Sequence, residues 1–263
     1  MIYQHEESQN AYLCKRTKPE KRKRMKKALI VLLGIGVTLM ASGKNIGKRE
    51  AFVEEKKMPN AAHFLPAPPD STSIEFAYDM HRHIWGKTKR HDVPRAAEAQ
   101  ADAEISAKRT LDIYAPIVGM ELDSVNTPKL YDLLCKVQAD CSHGCLPTKA
   151  VYQRTRPYVY LNEGTLVKED EEVLRHQGSY PSGHTTYGWT MGLIMTELFP
   201  DKTEEIMNRA YEYCENRVVA GFHWQSDVDA ARLIASVVVA RLHAEPTFLT
   251  AMEEVKKEIR KKR

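Results

Sequence analysis

From Asp70 and Ser71 onward the apolar positions of this chain fall at helical spacing and keep to it. Phe76, Met80, His83 and Ile84 share one face of a first predicted helix. An Ala-rich stretch from Arg95 to Ala107 predicts a second, and Thr127 with Pro128 reads as the N-cap and N1 of a third that runs through Val137. Gly183 to Leu198 is apolar and stops ahead of Pro200; Thr203 to Val219 is amphipathic; Val228 to Leu242 is rich in Ala and Val. Pro246 and Thr247 open a last helix toward the C-terminus. No apolar–polar alternation is long enough for a sheet, and no internal repeat is visible. The pattern predicts an all-α fold, a single compact helical domain over residues 73–263. Ahead of it, residues 44–72 hold Pro59, Pro66, Pro68 and Pro69 and predict an extended segment over the domain surface. Leu233 to Leu242 is apolar enough to suggest a membrane span, but Arg232, Arg241 and His243 flank it, so a buried core helix is expected.

Charge changes the picture at the front of the chain. The formal net charge is +4, but residues 1–43 carry nine Lys or Arg against three Glu, a balance of +6. The remaining residues hold 30 basic and 32 acidic side chains, a balance of −2, which leaves no electrostatic footprint for nucleic acid. Met25, Lys26 and Lys27 form a cationic start, Ala28 to Met40 an apolar run, and Ala41, Ser42 and Gly43 the small residues of a cleavage site. A cleaved secretory leader, from Met25 to about Gly43, is therefore expected, with a periplasmic or secreted product and no stable membrane insertion afterwards. No Cys follows the cleavage site, so nothing supports a lipid anchor. Residues 1–24 extend the leader or reflect a start placed too early. Cys14 lies in that region, leaving Cys135, Cys141, Cys145 and Cys214 as two disulfides or as free thiols. The spacing of Cys141, His143 and Cys145 is not that of a standard zinc motif.

Three short clusters carry the chemistry. Lys149 and Arg156, followed by Pro157, are spaced K-x6-R-P, about two helical turns apart, so that on a helix both point along one face and Pro157 ends it. Alone, such a pair also fits a solvated face. GSYPSGHT at 178–185 precedes an apolar helix: Ser182 is placed to cap it, Gly183 lets the backbone approach a ligand, and His184 sits in the first turn. A capped helix with a surface histidine fits that segment equally well. His223 and Asp227 are four apart, so on a helix the carboxylate holds one imidazole nitrogen and frees the other, with Arg217 ahead of the Gly221 break. A His–Asp pair bracing two helices has the same spacing. Together, three cations, two imidazoles and one carboxylate suit a tetrahedral oxyanion. The same cations repel a divalent ion, so no metal and no cofactor are expected.

The ordered set resembles the bacterial class A non-specific acid phosphatases, within the phosphatidic acid phosphatase type 2 and vanadium haloperoxidase superfamily. The likeness extends through GSYPSGHT and GFHWQSDVDAAR (221–232), and upstream through LPAPP (65–69) and the segment from Phe76 through Asp79 to Gly86, covering residues 63–250. It implies an all-helical fold, phosphomonoester substrates with inorganic phosphate as product, phosphotransfer to other acceptors, vanadate sensitivity and a homo-oligomer. Carried over, His223 is the nucleophile that forms a phosphohistidine, Asp227 orients it, and His184 protonates the leaving alcohol and later activates water. Lys149, Arg156, Ser182, the backbone of Gly183 and Arg217 hold the phosphoryl oxygens. Those protonation states imply an optimum near or below the ordinary imidazole pKa of about 6.5. Asn216 stands where the family has Ser, which implies a tuned site, and the cysteines before Lys149 are placed to shape the pocket entrance. Haloperoxidases are much longer chains. A phosphate-binding protein without turnover would have no use for His184, His223 or Asp227.

Overall fold

The computed structural model describes residues 50–263; the predicted leader and Cys14 lie outside them. The described residues form ten α-helices, joined by short 3-10 turns and loops, with no strand among them. The helices are α1 Ile74–Lys89, α2 Val93–Ala101, α3 Ala107–Val118, α4 Pro128–Tyr152, α5 Pro157–Tyr160, α6 Glu171–Arg175, α7 Gly183–Leu198, α8 Thr203–Ala220, α9 Gln225–Leu242 and α10 Pro246–Arg260.

Helix α7 is the axis of the fold. Apolar on every side, it has no solvent face to keep and packs against α8, α9 and α4. Two glycines set the α7–α8 separation. A Cβ at Gly188 would lie 2.1 Å from the Tyr213 ring, and one at Gly192 would lie 2.5 Å from Ala210 Cβ. Gly144 does the same for α4 and α9, where a Cβ would meet Val238 at 2.6 Å. Helix α9 buries Ile234, Ala235, Val238 and Leu242 in the core, and no single helix among the described residues is long and apolar enough to cross a membrane.

Four sequence expectations change. The Pro-containing segment lies over the domain but is also anchored into its core. Val53, Met58, Ala61 and Leu65 are buried in the main core, and Asp140 of α4 accepts the N–H groups of Phe52 (3.1 Å) and Val53 (2.8 Å). Helix α1 turns Asp79, His83 and Gly86 inward and leaves Ile84 58% exposed, because its inner face meets a polar network rather than apolar core. The Ala-rich stretch is two helices, broken at Asp102, whose buried carboxylate accepts from Arg109, Arg209 and Asn216; Ser106 then caps α3. Helix α4 runs past Val137 to Tyr152, and the Thr127 hydroxyl bonds the Asp123 carbonyl instead of capping it. None of the four cysteines among the described residues is in a disulfide.

Candidate active site

The three clusters meet where helix ends converge. Helix α4 stops at Gln153, whose left-handed backbone (φ 44°) turns the chain, so Lys149 and Arg156 do not share a helix face. Pro157 opens α5 rather than ending α4, since a residue without an N–H suits a first helical position, and Arg156 stands just ahead of it. The 178–182 loop packs directly on that turn. A Cβ at Gly178 would lie 2.9 Å from Gln153 Cα, and Ser179 N–H donates to the Arg154 carbonyl at 2.8 Å. Ser182 caps α7 as expected, accepting from Thr185 N–H at 3.2 Å, and its own N–H donates to the Asp227 carbonyl at 3.0 Å. Helix α8 ends at Gly221 (φ 89°), where a Cβ would also run into the Arg90 guanidinium.

His223 and Asp227 pair, though not by stacking on a helix. His223 precedes α9, and Asp227 is the third residue of that helix. Its Oδ2 accepts Trp224 N–H at 2.9 Å and faces His223 Nδ1 at 3.3 Å. The other ring nitrogen, Nε2, lies 3.2 Å from Arg156 Nη1. A guanidinium only donates, so Nε2 carries the lone pair and Nδ1 the proton. His184 Nε2 lies 2.9 Å from the Ala103 carbonyl, which only accepts; Nε2 therefore holds its proton and Nδ1 titrates.

The three cations are held differently. Lys149 Nζ donates to the carbonyls of Gly178 (2.7 Å), Ser179 (3.3 Å) and Pro181 (2.7 Å), and burial lowers its pKa to about 8. Arg156 donates through Nε to Leu174 and Gln177 and through Nη1 to Phe222; burial lowers its pKa to about 10. Arg217 is fully buried, and all three guanidinium nitrogens lack a protein acceptor. It lies 5.0 Å from the Phe222 ring centroid. Both imidazoles sit well below the ordinary histidine pKa: burial acts first, then Arg217 on His184 and Arg156, Lys149 and Arg217 on His223. Among the described residues no three His, Cys, Asp or Glu side chains cluster as metal ligands.

Sequence reasoning missed Arg154, which bridges Asp79 and Asp227, and Ala103, whose carbonyl holds His184. A second arginine two residues before Arg156 was the available signal; its partner lies 75 residues away. Asn216 is tied into the Asp102 network, its Nδ2 donating to Glu98 and Asp102. Cys145 is buried beneath the loop, its thiol 3.8 Å from the Pro181 carbonyl, rather than at an entrance.

Comparison with known proteins shows the family of the chain. Residues 133–248 match the PAP2 superfamily. The chain is 33% identical over 235 residues to a non-specific acid phosphatase of Salmonella typhimurium, covering 89% of this chain and 92% of that protein. It is 33% identical over 213 residues to a non-specific acid phosphatase of Providencia stuartii, covering 80% and 85%, and 33% identical over 247 residues to an acid phosphatase of Zymomonas mobilis, covering 89% and 90%. A bacterial vanadium-dependent iodoperoxidase aligns with a TM-score of 0.46 and 16% identity, over 76% of this chain and 62% of that one. With near full-length likeness to these phosphatases, and with the three clusters inside the matched region, the chain belongs to the non-specific acid phosphatases of the PAP2 superfamily.

Proposed function

We propose that this protein hydrolyses phosphate monoesters at acid pH through a covalent phosphohistidine, without a metal. Arg217 carries the reading. A buried cation with no protein acceptor is costly, and an anionic oxygen placed against it supplies the missing partner. The free N–H groups at the start of α7, with Arg156 and the Ser182 hydroxyl, complete a cage for a phosphoryl group.

His223 Nε2 attacks phosphorus as the P–O bond to the alcohol breaks, and His184 Nδ1 gives its proton to the departing oxygen. The phosphoryl group now sits on Nε2, and Asp227 balances the imidazolium charge through Nδ1–H. His184 Nδ1 then takes a proton from water as the water oxygen attacks phosphorus; the P–N bond breaks and inorganic phosphate leaves. Transfer to a second alcohol follows the same path with that alcohol in place of water. Both depressed histidine pKa values belong to the free pocket, and a bound phosphate dianion raises them toward the protonated His184 that the first step needs.

The test is p-nitrophenyl phosphate turnover with EDTA present, beside His223→Ala, followed by acid-labile and base-stable labelling from radioactive substrate. Turnover that survives the chelator, with label absent in the variant, is expected; full activity in His223→Ala refutes the mechanism. Export and self-association rest on the leader and the resemblance. N-terminal sequencing of the extracytoplasmic protein reads the first, with a new N-terminus near residue 44 expected, and light scattering reads the second.

A further inference from the structure

One buried cation has no part in the mechanism above. Arg154 lies between Asp79 of α1 and Asp227 of α9, with its side chain 8% exposed and both carboxylates fully buried. Its Nη1 donates to Asp227 Oδ1 at 2.6 Å and to Ser226 Oγ at 2.7 Å, and its Nη2 donates to Asp79 Oδ2 at 2.7 Å. Asp79 in turn accepts Ser226 N–H at 2.8 Å and the Ser226 hydroxyl at 2.6 Å. The guanidinium lies 5.5 Å from the Trp224 ring centroid, and the indole N–H is tied to the Thr155 carbonyl at 2.9 Å. Arg154 thus meets Asp227 at Oδ1, the carboxylate oxygen that His223 does not face.

We propose that Arg154, braced by Asp79 and Ser226, is a positioning residue that aims the Asp227 carboxylate at His223 and sets the charge the imidazole feels. The proposal rests on His223 being the nucleophile. Asp227 Oδ1 is held by Arg154, while Oδ2 is shared between Trp224 N–H and His223 Nδ1. Without Arg154 nothing holds Oδ1, and only the Trp224 N–H on Oδ2 resists rotation of the carboxylate away from the ring. Charge adds a second effect. Asp79, Arg154 and Asp227 together present −1 to His223; losing Arg154 makes that −2, and neutralising Asp79 makes it 0. More negative charge favours the imidazolium, so the two changes push His223 in opposite directions. The other groups around His223 are the same in every variant: Arg156 at 3.2 Å, Lys149, Arg217, His184 and the Ser179 carbonyl.

The experiment is the pH dependence of kcat and kcat/KM for p-nitrophenyl phosphate in wild type, Arg154→Met, Arg154→Lys, Asp79→Asn and His223→Ala. Wild-type turnover that vanishes in His223→Ala checks the mechanism separately from this proposal. In Arg154→Met the acid limb of kcat/KM, below which His223 is protonated, is expected to move up by about one pH unit. Its kcat should fall about tenfold or more, with KM changed less than about threefold. In Asp79→Asn the limb should move down, and Arg154→Lys should restore its wild-type position with part of kcat. A salt bridge that merely braces α1 against α9 would lower stability in both variants without opposite displacements. Limbs that stay put, or move the same way, overturn the proposal. Should Arg154→Met not fold, the downward displacement in Asp79→Asn decides, and its absence refutes.

Discussion

Replacing Arg217 by Met should cost most of the activity and yet stabilise the phosphate-free protein. Arg217 is fully buried on the last turn of α8, and none of its guanidinium nitrogens has a protein acceptor. Burying an ion without a partner costs several kcal/mol even after relaxation. Met has similar reach and no charge, so the substitution removes that cost. It also forfeits the cation–π contact with Phe222 at 5.0 Å, about 1–2 kcal/mol in a desolvated setting. The balance is a gain of about 1–3 kcal/mol, and at roughly 2–4 °C per kcal/mol for a domain of this size, Tm should rise by about 2–12 °C. Phosphate at a hundred times its Kd then stabilises wild type by about 2.7 kcal/mol and the variant hardly at all, closing or reversing the gap. Meanwhile kcat/KM should fall by about 10²–10³. Scanning calorimetry of both proteins, with and without phosphate, reads each of these. A variant less stable than wild type without phosphate, or one that gains as much from phosphate, would refute the reasoning.

Lys149→Met should have the opposite effect on stability. It strips the donor from three loop carbonyls, so Tm should fall by the equivalent of about 1–3 kcal/mol while activity is also lost; an unchanged Tm would contradict the loop-holding role. The pKa of His184, depressed by burial and then Arg217, should rise by about one unit or more when phosphate binds, because the anion favours the imidazolium; histidine NMR titration with and without phosphate measures it, and no rise would place His184 away from the anion. Asp140 has its pKa raised by burial from 3.8 to about 6, so the folded state binds more protons across that window, and stability falls as pH rises from about 3.8 through about 6. Asp140→Asn should flatten that part of the urea-midpoint profile, and an unchanged slope would show that the carboxyl is not its source.

The helices that were legible in the sequence are the ones with clear punctuation. Helices α7 and α10 begin where the cap and proline signals put them, and α8 ends at the Gly221 break, because Ser182, Pro246 and Gly221 act locally. Helix α1 is legible in the sequence, but of its inward residues only His83 is, and Asp79 is not. Its inward residues are Asp79 and His83, and only contacts with Ser226, Arg154 and Glu163, far along the chain, make their burial tolerable. The second half of helix α4 is not legible in the sequence because it buries Asp140, Cys141, Gly144, Cys145 and Thr148, small or polar residues without apolar periodicity. The eight residues named for the pocket could be chosen from spacing and resemblance. Their mounting could not, since it depends on a left-handed Gln153 and on a cap rather than helical stacking at Asp227.

The contrast between Lys149 and Arg217 explains why the pocket is built from helix ends. A cation in mid-helix can be aimed, but its neighbours' backbone groups are already used. At the end of α4, the loop carbonyls of 178–181 are free to satisfy Lys149, so that charge fixes the shape of the loop before any ligand arrives. Arg156 is likewise held by carbonyls, from Leu174, Gln177 and Phe222. Arg217 alone of the three has no such partner, so under the proposed function a phosphoryl oxygen would gain most at that cation. A pocket with three satisfied cations would be more stable and would bind phosphate weakly; one with three unsatisfied cations would hardly fold. Two to hold the shape and one left open is an arrangement that a marginally stable chain can maintain.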